Sequence, residues 1–394
     1  MLHVLYLVHD LLDPAVRRRV AMFQAGGASV TLAGFCRGPA PADIAGTTPI
    51  LLGTTKDGAF AQRIAAVMRA AVRLGKALRS IRRPDVIVGR HLEMLALANR
   101  AVRLFGGNVP IVYESLDIHR LLLRGDGIGR AMRSAERLFG RQAALLMTSS
   151  PAFVREYFEP RGHLAAPILL VENKVLELDG ADGEAVGDLA LPRLVEPGEP
   201  WRIGWFGALR CRRSLELLAG FTHRMEGRCE IVLRGRPAYS EFDDFDGFLA
   251  AEPHLHFHGA YRNPEDLAAI YGEVHFAWAV DFFEEGLNSS WLLPNRLYES
   301  CRYGVVPIAV QGTETARFLE QRQMGLVFAE PSVDALAALF EAFVAERYAE
   351  ERQRVARHER RTWICDRAGC TELVDQLRAV AGRTTPGPAL EVMG

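Results

Sequence analysis

Along the chain, short solid apolar runs alternate with longer stretches of 3.6-residue rhythm, the pattern of a parallel sheet whose strands are joined by helices. Leu2 to Val8 is a compact apolar run suited to a strand buried on both faces. The loop His9-Asp10-Leu-Leu-Asp13-Pro14 then leads into a helix over Pro14 to Gln24, with Asp13 as its N-cap and Pro14 in its first position. Gly26-Gly27 ends that helix and Ser29 to Ala33 is the next strand, completing a β-α-β opening. Further strands are expected after Pro84-Asp85, over Val109 to Ser115, over Ala143 to Ser150, from Trp201, over Ile231 to Gly235 and over Val305 to Val310. Ligands of an open parallel sheet sit beyond the carboxyl ends of its strands, so Arg90, His91, Glu114, Asp117 and His119 are expected on one rim.

The same reading divides the chain. Glu177 to Pro200, acidic with four glycines and three prolines, reads as a linker between a first domain over 1–176 and a second over 201–359. Helices are expected over Asp334 to Arg347 and Arg354 to Val380, the last (about 360–382) crossing back to the first domain, with 383–394 a loose tail. Trp201 to Leu218 reads as a strand, a glycine turn at Gly204 and Gly207, and a helix with Arg210, Arg212 and Arg213 at its entrance. A diphosphate there would gain from both charge and free N–H groups. From Phe282 to Phe328 a loop precedes a helix over Pro294 to Arg302, which Gly304 ends, then a strand and a second helix from about Thr313. Glu299 lies one turn into the first of these helices, where a carboxylate accepts from ribose hydroxyls while free N–H groups face phosphate. The alternative is a helix that only packs on a sheet, with Glu299 solvated.

Charge adds a second division. Met1 to Val175 holds 24 Lys+Arg against 13 Asp+Glu, leaving 23 against 35 of the chain's 47 and 48 for the rest, so the halves are expected to face different partners. Ala61 to Arg83 is a long helix with seven cations and no acid. Arg69, Arg73, Lys76 and Arg83 recur at helical spacing, opposite or flanking Ile64, Met68, Ala71 and Val72. Such a helix either lies against anionic lipid or packs on the core with its basic face in water. Arg17, Arg18 and Arg19 near the first loop suit an anionic acceptor, or simply point outward into solvent.

Length suits two domains, each with its own core. The six cysteines show no CxxC pair and read as reduced cytosolic thiols. The apolar opening lacks a basic leader and is too short to span a bilayer. His254, His256 and His258 alternate as strand neighbours, but no local carboxylate or cysteine completes a metal site, so they read as structural. No GxGxxG follows the first strand, which weighs against a nicotinamide-dependent dehydrogenase.

The run LPNRLYESCRYGVVPIAV resembles the donor-binding segment of family 4 glycosyltransferases, retaining enzymes of the GT-B fold. The resemblance extends from the first strand to about Phe328 and includes PIVYESLD, Ser150-Pro151 and Asn173-Lys174. It implies an α/β fold of two Rossmann-like parallel-sheet domains facing across a cleft. It also implies sugar transfer with retention from a nucleotide sugar to an acceptor such as a lipid-linked glycan, as in bacterial exopolysaccharide assembly. No cofactor or metal is implied beyond the nucleotide-sugar co-substrate, nor any nucleic acid. The cytoplasm is implied, at the inner membrane face if the basic domain touches anionic lipid.

By this resemblance Glu299 holds the ribose, Gly207, Arg210 and Arg213 take the diphosphate, and Asn295 and Arg296 shape the loop. Asp117, His119, Glu114 and Arg213 are the catalytic candidates, and Asp13, Arg17, Arg90 and His91 face the acceptor. Asp117 alternatively caps the helix that follows it. The family's first glutamate is Trp291 here, an arginine is Ala208 and a histidine is Leu116. Either Glu284 or Glu285 stands in for the missing glutamate, as though NSSWLL were inserted, or Arg296 marks a subgroup that handles the donor differently; Arg210 stands in for the arginine, and His119 or His91 for the histidine. These departures keep two other readings open: a non-catalytic nucleotide-sugar binder, which would bind without turnover, and a sugar-nucleotide epimerase, which would need no acceptor.

Overall fold

A computed structural model describes residues 1–56, 60–161, 164–178 and 198–382. The chain divides into two compact units. The first comprises Met1–Glu172, Leu176–Leu178 and Cys365–Gly394, the second Asn173–Val175 and Asp179–Ile364. Most of the expected linker and all of the expected tail lie outside the described residues.

The first unit is built on seven parallel strands: β1 (Leu2–Val8), β2 (Ala28–Cys36), β3 (Ile50–Thr54), β4 (Val86–Arg90), β5 (Ile111–Ser115), β6 (Ala143–Thr148) and β7 (Ile168–Leu170). Their order is β3-β2-β1-β4-β5-β6-β7. β1 lies between β2 and β4 and every residue of it is buried, which is why its sequence does not alternate. Asp13 caps the helix Pro14–Ala25 by accepting from the Ala15 N–H at 2.9 Å.

The final helix, Arg367–Ala381, packs on that first helix and supplies Cys370, Leu373, Val374, Leu377 and Val380 to the core around Tyr6, Val20 and Phe23. A Cβ on Gly26 would sit 2.2 Å from the Cys370 carbonyl oxygen, so only glycine permits this approach. The long helix expected over Arg354 to Val380 is interrupted. Ala345–Ala356 ends, a single turn follows at Arg360–Thr362, and a new helix starts where the Asp366 carboxylate accepts from the Gly369 N–H at 2.8 Å. The helix expected over Asp334 to Arg347 divides likewise, into Val333–Phe340, capped by Ser332, and the start of Ala345–Ala356.

After the two-residue strand β8 (Val175–Leu176), the second unit carries six parallel strands: β9 (Trp201–Leu209), β10 (Cys229–Pro237), β11 (Leu255–Phe257), β12 (Phe276–Trp278), β13 (Val306–Val310) and β14 (Leu326–Phe328). Their order is β11-β10-β9-β12-β13-β14. The expected glycine turn at Gly204 and Gly207 is absent, because β9 runs unbroken to Leu209. Gly204 makes room within its own strand, where a Cβ would meet the Phe206 ring at 2.7 Å. Gly207 pairs with Gly235, and a Cβ on Gly235 would lie 1.8 Å from the Gly207 carbonyl oxygen.

In each sheet the order reverses once, between β1 and β4 and between β9 and β12. Such reversals are where α/β sheets open a crevice beyond their strand ends. Among the described residues no helix is long and apolar enough to cross a membrane.

Candidate functional site

At the first reversal, the chain leaves β1 through His9 and Asp10 and leaves β4 into His91. His91 takes a left-handed backbone, φ +67°, an uncommon conformation for a residue with a Cβ. The His9 and His91 rings meet edge to face, 4.6 Å between centroids. His91 Nδ1 lies 3.4 Å from Asp117 Oδ1 in the loop after β5, and more than half of the Asp117 side chain is exposed. The buried His9 Nδ1 has no hydrogen-bond partner among the described residues. Burial, followed by the charges of His91, Arg90, Arg37 and Arg63, holds His9 well below the ordinary imidazole range, so this ring is neutral near pH 7.

The polar residues beneath this rim are committed to one another. Glu114, fully buried, does not project to the rim as expected. One oxygen accepts from Arg19 Nε at 2.7 Å and the other from the Tyr6 hydroxyl at 2.5 Å. Arg90, 3% exposed, donates to Tyr6 at 3.2 Å and to Asp13 at 3.0 Å. Burial opposes ionisation of Glu114, yet the Arg19 and Arg90 charges and the hydrogen bonds outweigh it and hold the carboxyl below its usual range. Glu114 and Arg90 therefore form a buried chain with Tyr6 and Arg19, which the partly exposed Asp13 closes at one end, fastening the helix Pro14–Ala25 to β1, β4 and β5. Glu114 and Arg90 are thus not presented on the rim as expected, whereas Asp13 keeps part of its side chain exposed. Arg19 is buried too, whereas Arg17 is exposed.

His119, not Asp117, caps the helix that follows, accepting from the Leu121 N–H at 3.2 Å. Arg63 Nη2 approaches its other ring nitrogen at 3.5 Å. Burial and then the Arg63 charge lower the His119 pKa. Of the residues expected on this rim, the structure brings together His91 and Asp117, and adds His9.

At the second reversal, Arg210 follows β9 and Asp281 follows β12. Their side chains approach to 3.5 Å, and the Arg210 guanidinium stands 4.6 Å from the centre of the Phe283 ring. Arg213, in the first turn of the helix Arg212–Arg224, lies 4.9 Å from the Phe282 ring centre and pairs with Glu285. Arg212 instead pairs with Asp243. Asp281 organises the loop by accepting from the Phe283 N–H at 2.8 Å and the Ser289 hydroxyl at 3.2 Å. Glu285, expected to replace a missing glutamate, is thus held by an arginine at the helix entrance. NSSWLL contributes a short helix of its own, Asn288–Trp291.

The next helix runs Asn295–Arg302, with Pro294 as its cap residue rather than its first member. Glu299 is not solvated. Asn263 donates to one carboxylate oxygen at 3.0 Å and the Tyr271 hydroxyl to the other at 3.1 Å. Burial first, and the Glu299 charge second, raise the Tyr271 pKa well above its ordinary value. Tyr271 stacks on Tyr303 at 5.7 Å, which fixes where its hydroxyl points. Arg296 donates to the Val280 carbonyl at 3.0 Å, tying this helix to the end of β12, while its buried Nε has no partner among the described residues. Asn295 is exposed. Gly207 holds φ +111°, a backbone that residues with a Cβ rarely adopt, and the Tyr261 hydroxyl lies 4.0 Å from where that Cβ would stand. Among the described residues no group of three or more His, Cys, Asp or Glu is placed to hold a metal ion.

Over 394 residues the chain is 59% identical to the succinoglycan biosynthesis protein ExoL of Rhizobium meliloti (strain 1021), spanning 99% of this chain and 97% of that protein. The chain belongs to the ExoL family. No protein-family model matches this ExoL-family chain. Its fold is GT-B. Sucrose-phosphate synthase from Thermosynechococcus elongatus superposes with a TM-score of 0.70 at 13% identity, over 96% of this chain and 98% of that one. Anabaena HepE, solved with UDP and glucose, gives 0.66 at 11% identity, over 96% and 100%. A putative UDP-N-acetylglucosamine 2-epimerase from Listeria monocytogenes gives 0.59 at 12% identity, over 100% and 99%. These matches place this ExoL-family chain among proteins of the GT-B fold.

Proposed function

We propose that this chain is a glycosyltransferase of polysaccharide assembly, moving a hexosyl group from a nucleotide sugar to a glycan carried on a polyprenyl diphosphate. The observation that carries this reading is the near full-length 59% identity to a succinoglycan biosynthesis protein. The fold supports it, since HepE was solved with UDP and glucose.

In this reading the second unit binds the donor. Arg210, Arg213 and the first N–H groups of the helix Arg212–Arg224 take the diphosphate, exchanging Asp281 and Glu285 for phosphate oxygens. Each well-placed donor contributes about 3–4 kcal/mol as charge grows on the leaving group. Because arginines supply that charge, the reading calls for no metal. Glu299, aimed by Asn263 and Tyr271, accepts from the ribose hydroxyls, while Asn295 and Arg296 shape the loop beside it. The first unit meets the acceptor through His91 and Asp117, with Arg17 near its rim.

The family 4 resemblance implies retention, with the leaving phosphate taking the acceptor's proton. One observation favours a second stereochemical course. His91, held by Asp117 and backed by a neutral His9, is a side-chain proton acceptor of the kind in-line inversion requires. A thermal-shift panel of nucleotide sugars tests the donor assignment, because a saturating ligand raises the melting point and a non-binder does not. The anomeric configuration of the product by NMR then decides the course. A retained anomer supports the resemblance; an inverted anomer, lost in His91→Asn, supports the imidazole.

A further inference from the structure

We propose that the outward face of the helix Phe60–Ala77 is a docking surface for an anionic lipid bilayer. The helix has two apolar rows on opposite sides. Ala66, Ala70, Leu74 and Leu78, each four residues from the last, are buried and hold the helix and its extension on the first unit. Ile64, Met68 and Val72 recur at the same spacing on the other side and are 47%, 64% and 82% exposed. The fold uses the first row and leaves the second unexplained. Scattered exposed apolar side chains are ordinary, but three on successive turns of one face are a patch.

Charge identifies the occupant. Arg69, Arg73 and Lys76 are exposed one step round the helix from the apolar row, and Arg79, Arg82 and Arg83 continue the exposed cations beyond it. No Asp or Glu occurs from Phe60 to Pro84. An apolar row flanked by cations matches the boundary of an anionic bilayer, where acyl chains take the side chains and headgroup phosphates take the charges. The helix would lie flat on the surface, since it is too polar to enter. Water-soluble nucleic acid would use the cations but give the apolar row no cover. A second copy of the chain would cover the row but bring the same positive charge against it.

The test needs neither donor nor acceptor, so it stands or falls apart from the proposed reaction. The full chain is sedimented with vesicles of phosphatidylglycerol in phosphatidylcholine, and with phosphatidylcholine alone. Binding to the anionic vesicles that weakens with salt is expected. The double variant Met68→Ser, Val72→Ser is expected to bind roughly thirtyfold more weakly through lost apolar transfer. The triple variant Arg69→Gln, Arg73→Gln, Lys76→Gln is expected to bind about a hundredfold more weakly through lost surface charge. All five side chains are exposed, and circular dichroism checks that the variants keep the fold. The proposal is overturned if the full chain stays in solution with both vesicles, if phosphatidylcholine alone binds as well, or if both variants bind unchanged. A change of oligomeric state in the double variant, without vesicle binding, would overturn it in favour of a second copy.

Discussion

Replacing Glu114 by glutamine removes the central anion of the buried chain that runs from Asp13 through Arg90 and Tyr6 to Arg19. The amide keeps the volume but not the charge, leaving two buried guanidinium groups with Asp13 as the one acidic partner in that chain. Breaking a buried pair by removing one member costs about 3–5 kcal/mol, because the other charge stays desolvated and unpaired. For a unit of this size that corresponds to a melting point lower by roughly 6–20 °C. Scanning calorimetry near neutrality reads the effect on the first unit. Its pH dependence is a second check. The folded Glu114 carboxyl ionises below its ordinary range, so its contribution is fully present above the unfolded value of about 4.3 and is lost as pH falls through the lower folded value. The gap between wild type and Glu114→Gln should therefore close on acidification. Turnover per folded molecule at low temperature should survive. A variant that melts normally but has lost turnover would refute the structural assignment and restore Glu114 as a chemical residue.

Further outcomes follow from the same geometry. Glu299→Gln should raise the donor KM about tenfold or more, the scale of one hydrogen bond to a charged group, with little change in acceptor KM; an unchanged donor KM would remove Glu299 from the donor site. Gly26→Ala should destabilise the docking of the last helix by about 1–3 kcal/mol, read as earlier hydrogen exchange in 367–381, because the added methyl has nowhere to go. His9 titrates well below its unfolded value, so its neutral state contributes stability above about pH 6.5 that is lost as pH falls through the folded value. His9→Asn should flatten that part of the stability profile, and an unchanged slope would assign the effect elsewhere.

The layered α/β architecture was legible because its signals are local. Solid apolar runs gave the strands and Asp13-Pro14 gave a helix start. Side-chain destinations were less legible wherever they depend on partners distant in sequence. Arg19 and Glu114 stand 95 residues apart, so nothing near either one shows that they neutralise each other in the core. Glu299 was found by its place on a short helix, but its supports Asn263 and Tyr271 come from a loop and a helix that carry no phosphate-binding signature. His9 lies in a polar loop with no motif around it, and the one signal for it in the sequence is its position directly after the central strand. The helix Phe60–Ala77 offered two apolar rows at equal spacing, and periodicity alone does not say which one faces the core. Gly204 illustrates the opposite error, in which a residue that only relieves an aromatic neighbour resembles one that admits a ligand.

The most direct test of the account is acceptor-dependent transfer. The purified chain is incubated with the nucleotide sugar that stabilises it and a polyprenyl-diphosphate-linked glycan, and nucleoside diphosphate release is followed beside the mass of the glycan. The account predicts release that requires the acceptor, matched mole for mole by a glycan one hexose longer, and strongly reduced in Glu299→Gln. Epimerised donor without any acceptor, or a donor held tightly with no turnover on any lipid-linked glycan, would contradict it.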